Sequence, residues 1–213
     1  MKEVVRKYKS FLLILSSLLL FFSCEKQTLE PSEDGVPQLY FEAKYNGYQV
    51  RFDAGINNIV GNSYKTYYYD DSLIVYNFSL EHISNSSVRY MHLSVYNYTF
   101  PFKSKVNDID STILPGKYLY AYNTPRPNNP KHLSEVILTC YTYSGYPYSS
   151  SYFDQKYSNF EITKVVDTTV IINRVTQQVK KAEIKFYCTL KNKIWGDTLN
   201  ISDGKMSVYF VKQ

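Results

Sequence analysis

Residues 39–53 read LYFEAKYNGYQVRFD. Leu39, Phe41, Ala43 and Tyr45 alternate with Tyr40, Glu42 and Lys44 on the way in. Tyr48, Val50 and Phe52 alternate with Gln49, Arg51 and Asp53 on the way out. Successive side chains of a strand point to opposite faces, so this repeat of two makes one face apolar and the other charged. Between the two runs stands Asn46-Gly47, a pair that accepts the two positive-φ positions of a tight hairpin turn. The stretch therefore predicts an antiparallel hairpin resting on a core by one face.

The same alternation recurs along the chain. Ser72 to Leu80 and Val88 to Phe100 read as strands, as does Ser134 to Tyr143 with Val136, Leu138 and Cys140 inward. Leu114-Pro115-Gly116-Lys117-Tyr118 turns into a short strand through Tyr122. Asn159 to Val166 and Thr169 to Val175 follow. Val179 to Lys191 sets Ala182, Ile184, Phe186, Cys188 and Leu190 against Glu183, Lys185, Tyr187, Thr189 and Lys191. Asp203-Gly204 reads as the turn of a closing hairpin between Asp197–Ser202 and Lys205–Val211. Ala54 to Asp71 reads as loop-rich, with a short strand around Ser63 to Tyr69. Thr124 to Lys131, with three prolines, is an exposed loop, and the Tyr/Ser-rich stretch 141–157 reads as a long loop or a mobile hairpin tip. No segment keeps a helical period. Nine to eleven strands joined by mostly short turns predict an all-β fold, an antiparallel β-sandwich, with a lipocalin-like β-barrel as the alternative.

The amino-terminal end has a different character. Lys2, Arg6, Lys7 and Lys9 precede an apolar run from Phe11 to Phe22, which ends at Ser23-Cys24. That order is a secretory leader, and the run is shorter than the roughly 20 residues a membrane helix needs. A small residue directly before cysteine resembles the lipobox of bacterial lipoproteins, with Phe21 where that pattern prefers Leu. The resemblance implies that Cys24 becomes the lipid-bearing mature terminus. Glu25 to Gln38 is polar, with Pro31, Gly35 and Pro37, and reads as a flexible tether. The expected organisation is a leader over residues 1–23, a tether over 24–38 and a single β domain over 39–213. The leader holds three of the chain's net five positive charges. The remainder is nearly balanced, so nucleic acid is not an expected partner.

Three further stretches carry a family likeness: Phe41-Glu42-Ala43-Lys44-Tyr45-Asn46-Gly47, Leu114-Pro115-Gly116-Lys117-Tyr118, and Asn159 to Phe210 with its Asp203-Gly204 unit. Together they resemble uncharacterised envelope lipoproteins of Bacteroidetes. The resemblance implies a bacterial cell-envelope address, on the outer membrane, and supplies no catalytic residue. It leads to a non-enzymatic binding or assembly module held to the membrane by its lipid, with a protein or glycan partner. The alternatives are a structural or adhesive fimbria-like subunit and a hydrolase acting on envelope polymers.

Motifs for chemistry are sparse. His82, His92 and His132 have no partner at metal-ligand spacing and read as solvated; no metal or cofactor is expected. Asn107-Asp108-Ile109-Asp110-Ser111 offers oxygens but lacks the glycine and distal glutamate of a calcium loop. Asp70-Asp71 reads as a solvated turn. Cys140 and Cys188, both on apolar strand faces, are either a disulfide or two buried thiols. The distinctive bias is 23 Tyr against one Trp. Tyr64, Tyr67, Tyr68, Tyr69, Tyr141, Tyr143, Tyr146, Tyr148 and Tyr152 form the candidate surface, since an apolar ring with a polar tip suits both strand packing and partner contact.

Overall fold

The computed structural model describes residues 39–68, 73–82, 85–98, 109–122, 134–142, 145–172 and 175–212. Cys24, the leader and the tether lie outside the described residues. So do Tyr69, Asp70, Asp71, Asp108, His132 and Tyr143.

The strands are β1 (Tyr40–Tyr45), β2 (Tyr48–Asp53), β3 (Ile59–Tyr68), β4 (Leu73–His82), β5 (Asn85–Tyr98), β6 (Gly116–Tyr120), β7 (Ser134–Tyr141), β8 (Pro147–Ser149), β9 (Asn159–Ile172), β10 (Val175–Asn192) and β11 (Thr198–Val211). A single helical turn, α1 (Ile109–Thr112), and a 3-10 turn at Ser150–Tyr152 complete the described elements. Among the described residues no helix is long and apolar enough to cross a membrane.

All eleven strands join one sheet in the order β2-β1-β11-β10-β9-β6-β7-β5-β4-β3, with β8 beside β7 and β10. The fold is all-β as the alternation predicts. Pairing is antiparallel except for a short parallel contact of β6 with β7. β2 and β3 stand at opposite edges yet are joined only by Ala54–Asn58. So short a link forces the sheet to roll until its edges approach. Ala54 N donates to Leu39 O at 3.0 Å, which continues the β1–β2 ladder into that link, and contacts of β11 with β3 close the gap. Tyr209 Oη donates to Gly61 O at 3.1 Å, and Val211 N to Ser63 Oγ at 3.3 Å. The two halves of the rolled sheet enclose one apolar core, including Phe41, Phe78, Leu93, Leu138, Phe160, Ile184, Phe186, Met206 and Phe210.

The opening hairpin forms as the sequence dictates. Asn46 and Gly47 take φ of 48° and 89°, and β1 pairs with β2 from Tyr40↔Asp53 to Tyr45↔Tyr48. Asp203-Gly204 does not form the hairpin turn expected of it. β11 runs unbroken from Thr198 to Val211, and the pair forms a bulge instead. Phe186↔Gly204 and Cys188↔Ile201 leave one extra residue on β11, and Asp203 adopts φ 52°. The cause is the Phe186 ring. A Cβ on residue 204 would lie 2.6 Å from it, so glycine is needed for contact rather than for reversal.

The stretch expected to be a loop around residue 150 is also structured. β8 lies in the same row beside β10 as β9, and between them the Gln155 amide fills the missing rung. Its Nε2 donates to Thr189 O at 2.6 Å, and its Oε1 accepts from Thr189 N at 3.3 Å. Cys140 and Cys188 are two free buried thiols, not a disulfide. Burial pushes both upward, Cys140 to about 12, so neither is a ready thiolate.

Candidate functional site

β4 is buried along nearly its whole length, which an ordinary strand with one wet face is not. Its even residues, Ile74, Tyr76, Phe78 and Leu80, join the main core. Its odd residues face the other way and continue across the sheet in register. Asn62, Ser79, His92 and Thr139 make one row. Tyr64, Asn77, Ser94 and Ile137 make the next, and Thr66, Val75, Tyr96 and Glu135 the third. Tyr68 and Leu73 stand beyond them. The face away from the core therefore has a polar floor with tyrosines along its border.

The floor is built from two hydrogen-bonded sets. His92 Nε2 lies 3.0 Å from Ser94 Oγ, which donates to Asn77 Oδ1 at 2.8 Å. Because the serine proton goes to Asn77, the imidazole is assigned as the donor to Ser94. Asn77 Nδ2 reaches Thr66 Oγ1 at 3.3 Å and Val75 O at 3.2 Å. A second set centres on Glu81: Asn62 Nδ2 at 3.2 Å, Ser79 Oγ at 3.2 Å and Arg89 Nε at 3.7 Å. Asn77, Ser79, Glu81 and Ser94 are all buried. The pKa of His92 is lowered to about 4, first because burial disfavours the charged ring and then because Arg89 is nearby. His92 is thus neutral and shielded rather than solvated as its alternation suggested, and its Nδ1 is buried without a partner.

Tyr64, Tyr68, Tyr96 and Tyr141 gather round this floor. The Tyr64 ring sits 6.3 Å from His92. Its phenol is held above the ordinary range by burial, then by Glu81, Tyr68 and Tyr141 against the opposing pull of Arg89. Tyr96 is raised by burial, then by Tyr68 and Tyr64. Tyr64 and Tyr68 keep part of their rings in solvent. Such a layout suits a ligand with both hydroxyls and apolar faces, because the partly exposed Tyr64 and Tyr68 supply ring area and phenol hydroxyls while the floor beneath holds them in place.

The remaining candidates separate from this group. Tyr67 points to the other side of β3, with the Lys65 ammonium 6.0 Å from its ring centre. Tyr148 is buried, not displayed, and its hydroxyl donates to Asp197 Oδ2. Tyr146 packs against Trp195 with ring centres 4.1 Å apart. Asn192 sets that tryptophan in place: its Oδ1 accepts from Ile194 N at 2.8 Å and Trp195 N at 3.1 Å, and its Nδ2 donates to Pro147 O at 3.2 Å. Tyr152 lies beside Lys193 at 5.8 Å. This second aromatic cluster, on the β10–β11 loop, brings the lone Trp to the Tyr-rich segment from 49 residues away in sequence.

Asp110 is engaged by two lysines. Ile109 is buried, and Asp110 Oδ1 lies 3.0 Å from Lys180 Nζ and 3.3 Å from Lys212 Nζ. Asp167 shares the same two lysines at 3.5 and 2.9 Å. Among the described residues no three His, Cys, Asp or Glu side chains come together as metal ligands. No family model, no curated protein and no solved structure matches the chain.

Proposed function

We propose that this protein is a non-enzymatic binding module of the bacterial cell envelope, exported by its leader and held to the outer membrane by lipid on Cys24. The single observation that carries the binding role is the tyrosine-bordered polar face of β3, β4, β5 and β7. A sheet face with no function beyond solvation does not need His92, Ser94 and Asn77 in one hydrogen-bonded set and Ser79 and Glu81 in another beneath aromatic rings. The recognised chemistry is a hydroxyl-rich, flat-faced ligand, an envelope glycan or the polar edge of a protein. The Tyr146–Trp195 pair offers a second stacking surface of the same kind.

The test is a glycan array and a pull-down from envelope extract with the intact chain, beside Tyr64→Ala/Tyr68→Ala. A ligand retained by the parent and lost by the double variant supports the reading. Equal retention by both, or silence in both assays, removes it.

A further inference from the structure

We propose that the free end of the β9–β10 hairpin rests in the headgroup layer of the membrane to which the chain is tethered, with Ile171 and Val175 as the contacting side chains. This rests on the reading of Cys24 as a lipid anchor, and three observations lead to it.

First, the hairpin outruns its sheet. β11 accompanies β10 from Val179, and Lys212 N donates to Gln178 O at 3.0 Å, so among the described residues Val175 to Gln177 pair with β9 alone, over Val170 to Ile172. A two-stranded ribbon in water gains little from apolar side chains that have nothing to pack against. Yet Ile171 is 69% exposed and Val175 58% exposed, with Val166 exposed behind them. Ile171 is paired with Thr176 and Val175 with Ile172, so the Ile171 and Val175 side chains leave opposite faces of the ribbon and make its end apolar on both sides, as end-on entry into a contact surface requires.

Second, the chain enters the domain at the foot of this hairpin. β1 is antiparallel to β11 and β11 to β10, so β1 and β10 both start at the same end of the sheet. Tyr40 is level with Ser207, and Ser207 with Glu183. From Glu183 back to Val175 is eight residues, which carries the tip about 26 Å past that level. Leu39 shares one surface depression with Thr168, Thr169, Val170 and Val179.

Third, the reach matches. The 14 residues Glu25–Gln38 span at most about 46–50 Å. That exceeds the projection of the tip, so the lipid on Cys24 and the tip can occupy the same surface at once. Lys164, Lys181 and Glu183 also line the depression, with Lys181 Nζ 3.9 Å from Glu183 Oε1, so the contact is carried by the apolar tip and not by charge. The Asn46-Gly47 turn, at the other end of β1, faces away.

The test uses the full mature chain with Cys24→Ser, so the result does not depend on whether cells acylate that residue. It is mixed with vesicles of phosphatidylethanolamine and phosphatidylglycerol and floated on a density gradient. Partition onto the vesicles is expected, reduced at least about tenfold by Ile171→Asp/Val175→Asp and unchanged by Tyr48→Asp at the far end. Val175→Asp alone, with an unaltered circular dichroism spectrum, guards against a folding defect. No partition of the parent overturns the proposal, and so does equal partition of the tip variants. A tip variant that turns a dimer into a monomer while still floating would assign the tip to a second copy instead, which also overturns it. Failure of the anchor is read separately, from the mass of the native amino terminus.

Discussion

β4 separates two interiors that differ in kind. On one side Ile74, Tyr76, Phe78 and Leu80 meet the apolar core, where stability comes from area removed from water. On the other, Asn77, Ser79 and Glu81 are equally hidden but are held by hydrogen bonds to Thr66, Ser94 and Asn62 and between Ser79 and Glu81, with Arg89 ion-paired to Glu81 at 3.7 Å. A polar group gains little net stability from such burial, and its main requirement is not to lose a partner. The apolar side makes the fold; the polar side specifies a surface. Substitutions on the two sides should therefore fail in different ways.

The largest effect is expected on the apolar side. Phe78→Ala should lower unfolding free energy by about 3–5 kcal/mol, read by denaturant titration, because the cavity lies between β3, β4 and β11. A loss under 1 kcal/mol would mean that the sheet is not closed at this edge.

Next comes pH. His92 has a folded value of about 4 against an ordinary 6.5, burial being the first cause and Arg89 the second. The folded state thus binds this proton more weakly than the unfolded chain. Stability should be full above pH 6.5 and fall as pH drops from 6.5 towards 4, by up to about 3 kcal/mol. His92→Asn should flatten that window. A later loss has another source. Lys180 chiefly, with Lys212, holds Asp110 below its ordinary 3.8, and Lys212 chiefly, with Lys180, does the same for Asp167. Their contribution is present above pH 3.8 and disappears as pH falls through the lower folded values. Thermal melts across pH 3 to 8 would separate the two windows.

A smaller effect is expected from Asn77→Ala, which removes the acceptor of Ser94 and should cost about 1–3 kcal/mol by denaturant titration. Smallest of all is Tyr64→Ala, with its ring partly in solvent. Its unfolding free energy should stay within about 0.5 kcal/mol of the parent's, while ligand retention is lost. A large stability loss there would make the tyrosine border part of the fold and not of a site.

Much of this fold is legible in the residues themselves. The alternation in Leu39–Asp53 and in Val179–Lys191 gives strand, face and register, because a period of two has one geometric meaning. Asp203-Gly204 misleads because the same dipeptide serves a turn or a bulge, and the deciding contact, Phe186, is 18 residues away. The site is less legible. Alternation of His92, Ser94 and Tyr96 marks a face but not what shields it. That shielding comes from Tyr64, Tyr68 and Tyr141 on neighbouring strands. Trp195 joins Tyr146 only because Asn192 bridges the end of β10 to Pro147, a pairing that local spacing does not announce.

The placement of both surfaces, the tyrosine-bordered face and the hairpin tip, depends on the chain being held at a membrane through Cys24. Intact-mass and peptide mass spectrometry of the native protein tests this directly. The account predicts an amino terminus that begins at Cys24 and carries acyl chains. An unmodified Cys24, or a leader still joined to it, would contradict it.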